Sequence, residues 1–440
     1  MKPHELLTPW KGDKRWTAMA KRAAELKKSG SGAEQIVATI TAEFGAPPEM
    51  TKLRDKPEPF RIYGEVGVDI QDNAIEQLEL AMRLPIAVKG AIMPDGHVGY
   101  ALPIGGVYAT DNAIAPAMVG VDIGCRMHLT ILDISPEEIK RNREPLFSDL
   151  QSVTVFGSGG KRQRRADHAI LEAEHWNISN QTRGLREKAV QQLGTSGSGN
   201  HFAELIVGER IGANDLPERF AGLLTHSGSR GVGFAIAQHY IRVAAQETAH
   251  HADVPRMYEW LDLDSEAGQE YWAAMELSGA FAQANHEVIH ALFLRKSGLA
   301  ASMVIQNHHN FAWKEDGLVV HRKGATPAGV GVRGVIPGSM GTPSYIVEGL
   351  GNPESLYSAA HGAGRLFSRT TARNTINQQD VKQFLKKKDI IVQGLSMDES
   401  PFAYKDIERV MQIQIEAGLI RPLARMTPIA VQMAGEKGVD

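Results

Sequence analysis

The sequence predicts an α+β protein with a layered sheet core, flanking helices and a short N-terminal helical extension. Three observations predict it. Strand-like and helix-like runs come in blocks instead of alternating one by one, which argues against regular βαβ units. Of the 440 residues, 42% are apolar, enough for a sizeable core. The 44 glycines, about one residue in ten, punctuate the chain at short intervals.

The extension covers residues 1–58 and the main domain 59–440. In the extension, the spacing predicts a helix over Asp13–Lys28, a Ser-Gly break at Ser29–Gly32 and a second helix over Ala33–Phe44, closed by Pro47-Pro48. From Phe60, short β-rich runs predict strands at Ile86–Ile92, Gly105–Thr110 and Met118–Leu132. Residues 136–150 read as helical, and Gly157–Arg165 as a loop. Helices are expected at 165–193, 232–252 and 265–298, with most histidines in the Gly-rich turns between them. Strands at Ser302–Gln306, Gly317–Arg322 and Ser344–Glu348 and helices at 378–388 and 404–415 complete the chain. No internal repeat or low-complexity tract interrupts it.

Lys plus Arg (48) nearly balance Asp plus Glu (51), so a formal charge of −3 supplies no global attraction for nucleic acid. RNA contact would need local patches such as Lys161-Arg-Gln-Arg-Arg165. The single cysteine, Cys125, excludes an internal disulfide and fits a reducing compartment. No stretch nears the roughly 20 apolar residues of a membrane span, and Met1–Trp10 has no apolar signal core. The expectation is a cytoplasmic protein without a membrane partner.

The chemistry-bearing residues lie in turns. Gly120-Val-Asp-Ile-Gly-Cys125 places Asp122 and Cys125 three apart, a carboxylate and a thiol suited to a borderline divalent ion. Gly197-Ser-Gly-Asn-His-Phe202 and Leu224-Thr-His-Ser-Gly-Ser-Arg-Gly231 each set one imidazole, His201 and His226, in a polar loop; Arg230 and free amides there suit phosphate oxygens. In Asn307-His-His-Asn310, strand alternation sends His308 and His309 to opposite faces, so one of the two faces a site. His97, in Met93-Pro-Asp-Gly-His-Val-Gly99, is a further candidate. His361-Gly-Ala-Gly-Arg365 reads as a Gly-rich turn entering a helix. It lacks the Gly-Lys-Ser/Thr ending of a Walker loop, and the histidine at its head points to a nucleophile or ligand. Pro337-Gly-Ser-Met-Gly-Thr-Pro-Ser344 offers backbone and hydroxyl donors for a nucleotide.

In this order the segments resemble the RtcB family of RNA ligases, from about Pro94 to Lys405. The resemblance implies an RtcB-like fold and joining of RNA 3′-phosphate or 2′,3′-cyclic phosphate ends to 5′-hydroxyl ends, with GTP and two Mn²⁺ ions as cofactors. It implies Asp122, Cys125, His201, His226 and His309 as metal ligands, with Cys125 bridging, and His361 as the residue that takes GMP. It implies a GTP pocket of Asn200, His201, Phe202, Ala203, Glu204, His309, Asn310, Pro337, Gly338, Ser339, Met340, Ser344, His361, Gly362, Ala363 and Gly364. Some family members also need an archease-type activator. Two departures stand out: Met433 occupies the place of a lysine that contacts guanine, with Lys437 nearby as a substitute, and Tyr100 follows Gly99 where a basic residue is common. The same ligands would also serve a metal-dependent phosphodiesterase acting on cyclic phosphates, or a non-ligating RNA-binding paralogue.

Overall fold

The computed structural model describes residues 5–7, 10, 13, 15–47 and 50–435. Two helices, Trp16–Lys28 and Ala33–Phe44, bury Met19, Ala23, Ile36 and Ile40 against each other and against Leu7 and Trp10, a core of their own. Pro48 lies outside the described residues. The extension meets the main body where Thr51 N–H donates to His251 O at 2.9 Å.

Two sheets form the body. The smaller has five strands in the order Phe60–Ile62, Ala87–His97, Ile104–Thr110, Leu318–Lys323 and Asn310–Glu315. The larger runs Arg333–Ile336, Ser344–Gly349, Ile420–Met433, Phe202–Arg210, Arg219–Ser227, Arg126–Leu132 and Ala301–His308, with Ile391–Gln393 added beside Ile420–Met433. The sheets share a core, in which Ala91, Val107 and Val320 of the smaller meet Ile336, Tyr345, Val347 and Ile420 of the larger. The other face of the larger sheet packs on the helix Glu266–Ser297. Ser265 caps that helix by accepting from Gly268 N–H at 3.0 Å, and Arg295 and Lys296 sit in its last turn, where the helix dipole favours cations.

Several expected elements differ. Met118–Leu132 is not one strand: Pro116 opens a helical turn to Val119, Cys125 N–H then bonds Asp122 O at 3.2 Å, and the strand starts at Arg126. Of residues 165–193 only Asn180–Gln192 is α-helical, because Ser179 accepts from Thr182 N–H and restarts the chain as an N-cap. After His361 no helix begins until Arg369, capped by Ser368, so the Gly-rich turn is not itself a helix N-terminus. Residues 136–150 form two helices, Pro136–Arg141 and Arg143–Val153, and the strand expected at Ile86–Ile92 runs on to His97; the other expected elements form with small shifts of their ends. No described helix is long and apolar enough to cross a membrane.

Candidate metal and nucleotide centre

The antiparallel register brings the ends of four neighbouring strands together. Phe202 pairs with His226, Met127 with His226, and Arg126 with His308. His201 therefore stands just before one strand, His226 near the end of the next, Cys125 just before the third, and His309 just after the fourth. Side chains far apart in the sequence converge because their strands stop at the same level.

Cys125 Sγ lies 3.5 Å from His201 Nε2 and 3.2 Å from His226 Nε2. His201 Nε2 is 3.0 Å from Asp122 Oδ2, and His226 Nε2 is 3.1 Å from His309 Nε2. The other ring nitrogens of His201 and His226 are spoken for, with Nδ1–H of His201 donating to Ser196 O at 2.7 Å and that of His226 to Asn200 O at 3.0 Å, whereas Nδ1 of His309 is buried without a partner. Network geometry thus assigns the tautomer that leaves each Nε2 with a lone pair facing another acceptor. A thiol proton and one imidazole proton cannot bridge every such contact. A divalent cation taking a lone pair from each atom satisfies them together.

Two triads could hold such ions, Cys125–His226–His309 and Asp122–Cys125–His201, and Cys125 belongs to both. Burial disfavours charge on this cluster. It pushes the Cys125 thiol well above its ordinary value and His226 down to about 3, and it lowers His309, helped by the neighbouring His361 and His226. Burial opposes ionisation of Asp122 as well, but the adjacent His201 ring outweighs it and holds the carboxyl low.

His361 follows the short strand Ser358–Ala360, and its ring centroid is 4.9 Å from that of His309. Its Nδ1 lies 2.7 Å from Oδ2 of Asp95, a carboxylate with no solvent exposure. The same oxygen accepts from the backbone N–H groups of His361 (3.2 Å) and Gly362 (3.3 Å). Nδ1–H is thereby fixed on Asp95 and the Nε2 lone pair is left free. Gly364 makes this closeness possible: at φ +75° a Cβ there would sit 2.2 Å from Asp95 O.

A cleft of about 630 Å³ joins these groups. Asn200, Phe202, His309, Asn310, Pro337–Met340 and His361–Gly364 line it, along with Asp122, Cys125 and His226. His201 lines an adjoining cleft instead. Three other expected nucleotide contacts stand back from it. Ala203 points into the core with Ile429 and Leu205, because alternation turns it away from Phe202 and leaves only its backbone for a ligand. Glu204 is buried one register deeper, its carboxyl pushed well up by burial. Ser344 is buried too and accepts weakly from Gly338 N–H at 3.4 Å. His308 faces Arg126, Phe311 and Trp313, so His309 is the one of the pair in the site. Arg230 packs on Gly197 with its Nε on Thr195 Oγ1 at 3.3 Å, outside the cleft lining.

The chain matches the family model for tRNA-splicing ligase RtcB over residues 77–434. The chain belongs to the RtcB family. It is 34% identical to the RNA-splicing ligase RtcB of Escherichia coli over 380 residues, covering 79% of this chain and 91% of that protein. It is 32% identical to the tRNA-splicing ligase RtcB of Thermococcus kodakarensis over 454 residues, covering 85% and 94%. The matched RtcB region starts after the two N-terminal helices.

Two residues escaped the sequence reading. Asp95 belongs to the segment singled out for His97, which lines the cleft and bonds Asp95 O at 2.9 Å through Nδ1, and burial lowers His97 to about 4. A carboxylate ahead of a Gly-His pair was the available signal. Asn285, fully buried in the long helix, accepts from Gly194 N–H at 2.9 Å and donates to Gly228 O at 3.1 Å. It ties the His201 loop to the His226 loop, and nothing local in the sequence marks it. Met433 lines the cleft beside Met340 and Val431, whereas Lys437 lies outside the described residues.

Proposed function

We propose that this chain is a GTP- and Mn²⁺-dependent RNA ligase that joins 3′-phosphate or 2′,3′-cyclic phosphate ends to 5′-hydroxyl ends, in tRNA splicing or RNA repair. The observation that carries the reading is His361, with Nδ1 held by buried Asp95 and Nε2 free beside the metal cluster. Asp122, Cys125, His201, His226 and His309 would hold two Mn²⁺ ions, which supply charge neutralisation for the phosphates. His361 Nε2 attacks the α-phosphorus of GTP, an N–P bond forms, and the bond to pyrophosphate breaks. Asp95 stabilises the imidazolium that results. A 2′,3′-cyclic phosphate end is first opened by water to a 3′-phosphate and a free 2′-hydroxyl; the RNA 3′-phosphate oxygen then displaces His361 from the guanylate, and the 5′-hydroxyl finally attacks that 3′-phosphorus and displaces GMP. Residues 1–58 are an appendage to the catalytic domain 59–440, the protein is cytoplasmic, and an archease-type partner would assist turnover.

The test is end joining of an RNA pair bearing 3′-phosphate and 5′-hydroxyl termini, with GTP and Mn²⁺ each omitted in turn. Joined product that needs both supports the reading. Opening of a cyclic phosphate without joining and without need for GTP would replace it with the phosphodiesterase alternative.

A further inference from the structure

One wall of the cleft has no assigned ligand. The proposed GTP contacts Phe202 and Pro337–Met340 belong to or follow strands of the larger sheet. The facing wall comes from the smaller sheet: Val98 and Tyr100 between the strands Ala87–His97 and Ile104–Thr110, and Lys323 at the end of Leu318–Lys323. Leu366 and Phe367, downstream of His361, line the cleft as well.

The chemistry of this wall is amphipathic. Tyr100 is 67% exposed, and Val98, Leu366 and Phe367 also present apolar surface to solvent. Exposed aromatic faces beside a catalytic cleft suit nucleobases, since every base offers a π-face for stacking. Ala101 adopts φ +57°, a backbone unfavourable to alanine, so the turn that presents Tyr100 is imposed by its surroundings.

Lys323, below Tyr100, is only 6% exposed. Its Nζ donates to the carbonyls of Tyr100 and Ala117, and among the described residues no carboxylate pairs with it. Burial alone lowers its pKa to about 7. A cation buried without an anion is the complement of a phosphate. The next residue, Gly324, packs on the nucleophile: a Cβ there would lie 3.1 Å from His361 Cε1.

We propose that this wall is a nucleotide subsite for the 3′-terminal nucleotide of an RNA strand, with its base against Tyr100 and Phe367 and its phosphate against Lys323. The identity of the strand as RNA rests on the ligase reading.

The experiment measures binding by the full chain, with Mn²⁺ and without GTP, using fluorescence anisotropy of a short single-stranded oligoribonucleotide ending in a 3′-phosphate. The comparison strand is abasic at its last position. The wild-type protein should prefer the intact end by roughly five- to a hundredfold, the range of one stacked base. Tyr100→Ala should abolish the preference, and Tyr100→Phe, which keeps the ring, should retain it. Lys323→Met should weaken binding and reduce the slope of log affinity against log salt by about 0.7. Equal wild-type affinity for both strands, a preference that survives Tyr100→Ala, or an unchanged salt slope in Lys323→Met would overturn the subsite. A protein that takes guanylate but shows no base preference loses the subsite and keeps the ligase reading. One that shows the preference but takes no guanylate does the reverse.

Discussion

Asp95 Oδ2 accepts from three N–H groups of one short segment, the ring and backbone of His361 and the backbone of Gly362. That arrangement fixes both the tautomer of the imidazole and its direction, as in other carboxylate-oriented nucleophile and base systems. Asp95→Asn keeps the size and removes the charge; guanylate transfer to His361 should slow by about 10²- to 10⁴-fold while the melting temperature changes little. Single-turnover labelling measures it. The metal cluster makes a second prediction, because its triads share only Cys125. In calorimetric titration with Mn²⁺, Cys125→Ala should weaken both binding events, whereas Asp122→Asn should weaken one. Equal effects of the two substitutions would contradict a bridging thiolate. At this scale much of the candidate site was legible in the sequence: Asp122, Cys125, His201, His226, His309 and His361 each sit in a short polar motif, and it was the order of the motifs together, through the family resemblance, that marked them as candidates. Asp95 was harder to see, because a carboxylate becomes a positioning group only through a partner 266 residues away.

Elements decide whether those motifs meet. The candidate ligands converge because the strands starting at Arg126 and Phe202 and ending at Ser227 and His308 are held at one level by their antiparallel pairing. The His201 and His226 loops are then tied from behind by Asn285 on the long helix. Asn285→Ala leaves the Gly194 amide and the Gly228 carbonyl unpaired in the interior, which should cost about 1–3 kcal/mol of stability. It should also raise the Mn²⁺ dissociation constant by about 10- to 100-fold, the usual size for groups that orient ligands. Asn285→Asp, which keeps the acceptor for Gly194, should recover part of the affinity; equal loss in both variants would reduce Asn285 to ordinary packing. The strands flanking His201 and His226 were not read from the sequence, because glycine, histidine and serine at their ends broke the alternation. The segment 165–193 misled for the opposite reason: its composition is helical throughout, but the Ser179 cap sets the true start.

At the scale of the whole molecule, several buried imidazoles outside the candidate ligand set are held neutral by burial. Burial lowers His97, His128 and His321 to about 4. His321 shows why, since its Nε2 accepts from Ala115 N–H at 3.0 Å and a proton there would break that bond. In the unfolded chain these rings take protons near pH 6.5, and in the folded chain only near pH 4. The unfolded state therefore binds more protons between those values. Their contribution is complete above pH 6.5 and is lost as the pH falls toward 4. The metal-free protein should melt at progressively lower temperature from pH 7 to pH 5, and a flat profile would contradict it. The two-sheet core was legible as a class, from blocks of strands and helices, but the pairing order was not, because the larger sheet joins strands from residues 126 to 433. The central claim, that His361 accepts a nucleotide, is tested most directly by incubating the protein with α-labelled GTP or ATP and Mn²⁺ and locating the label. The account predicts labelled wild-type protein with GTP and none in His361→Ala; no label with any divalent ion, or label that persists in His361→Ala, would contradict it.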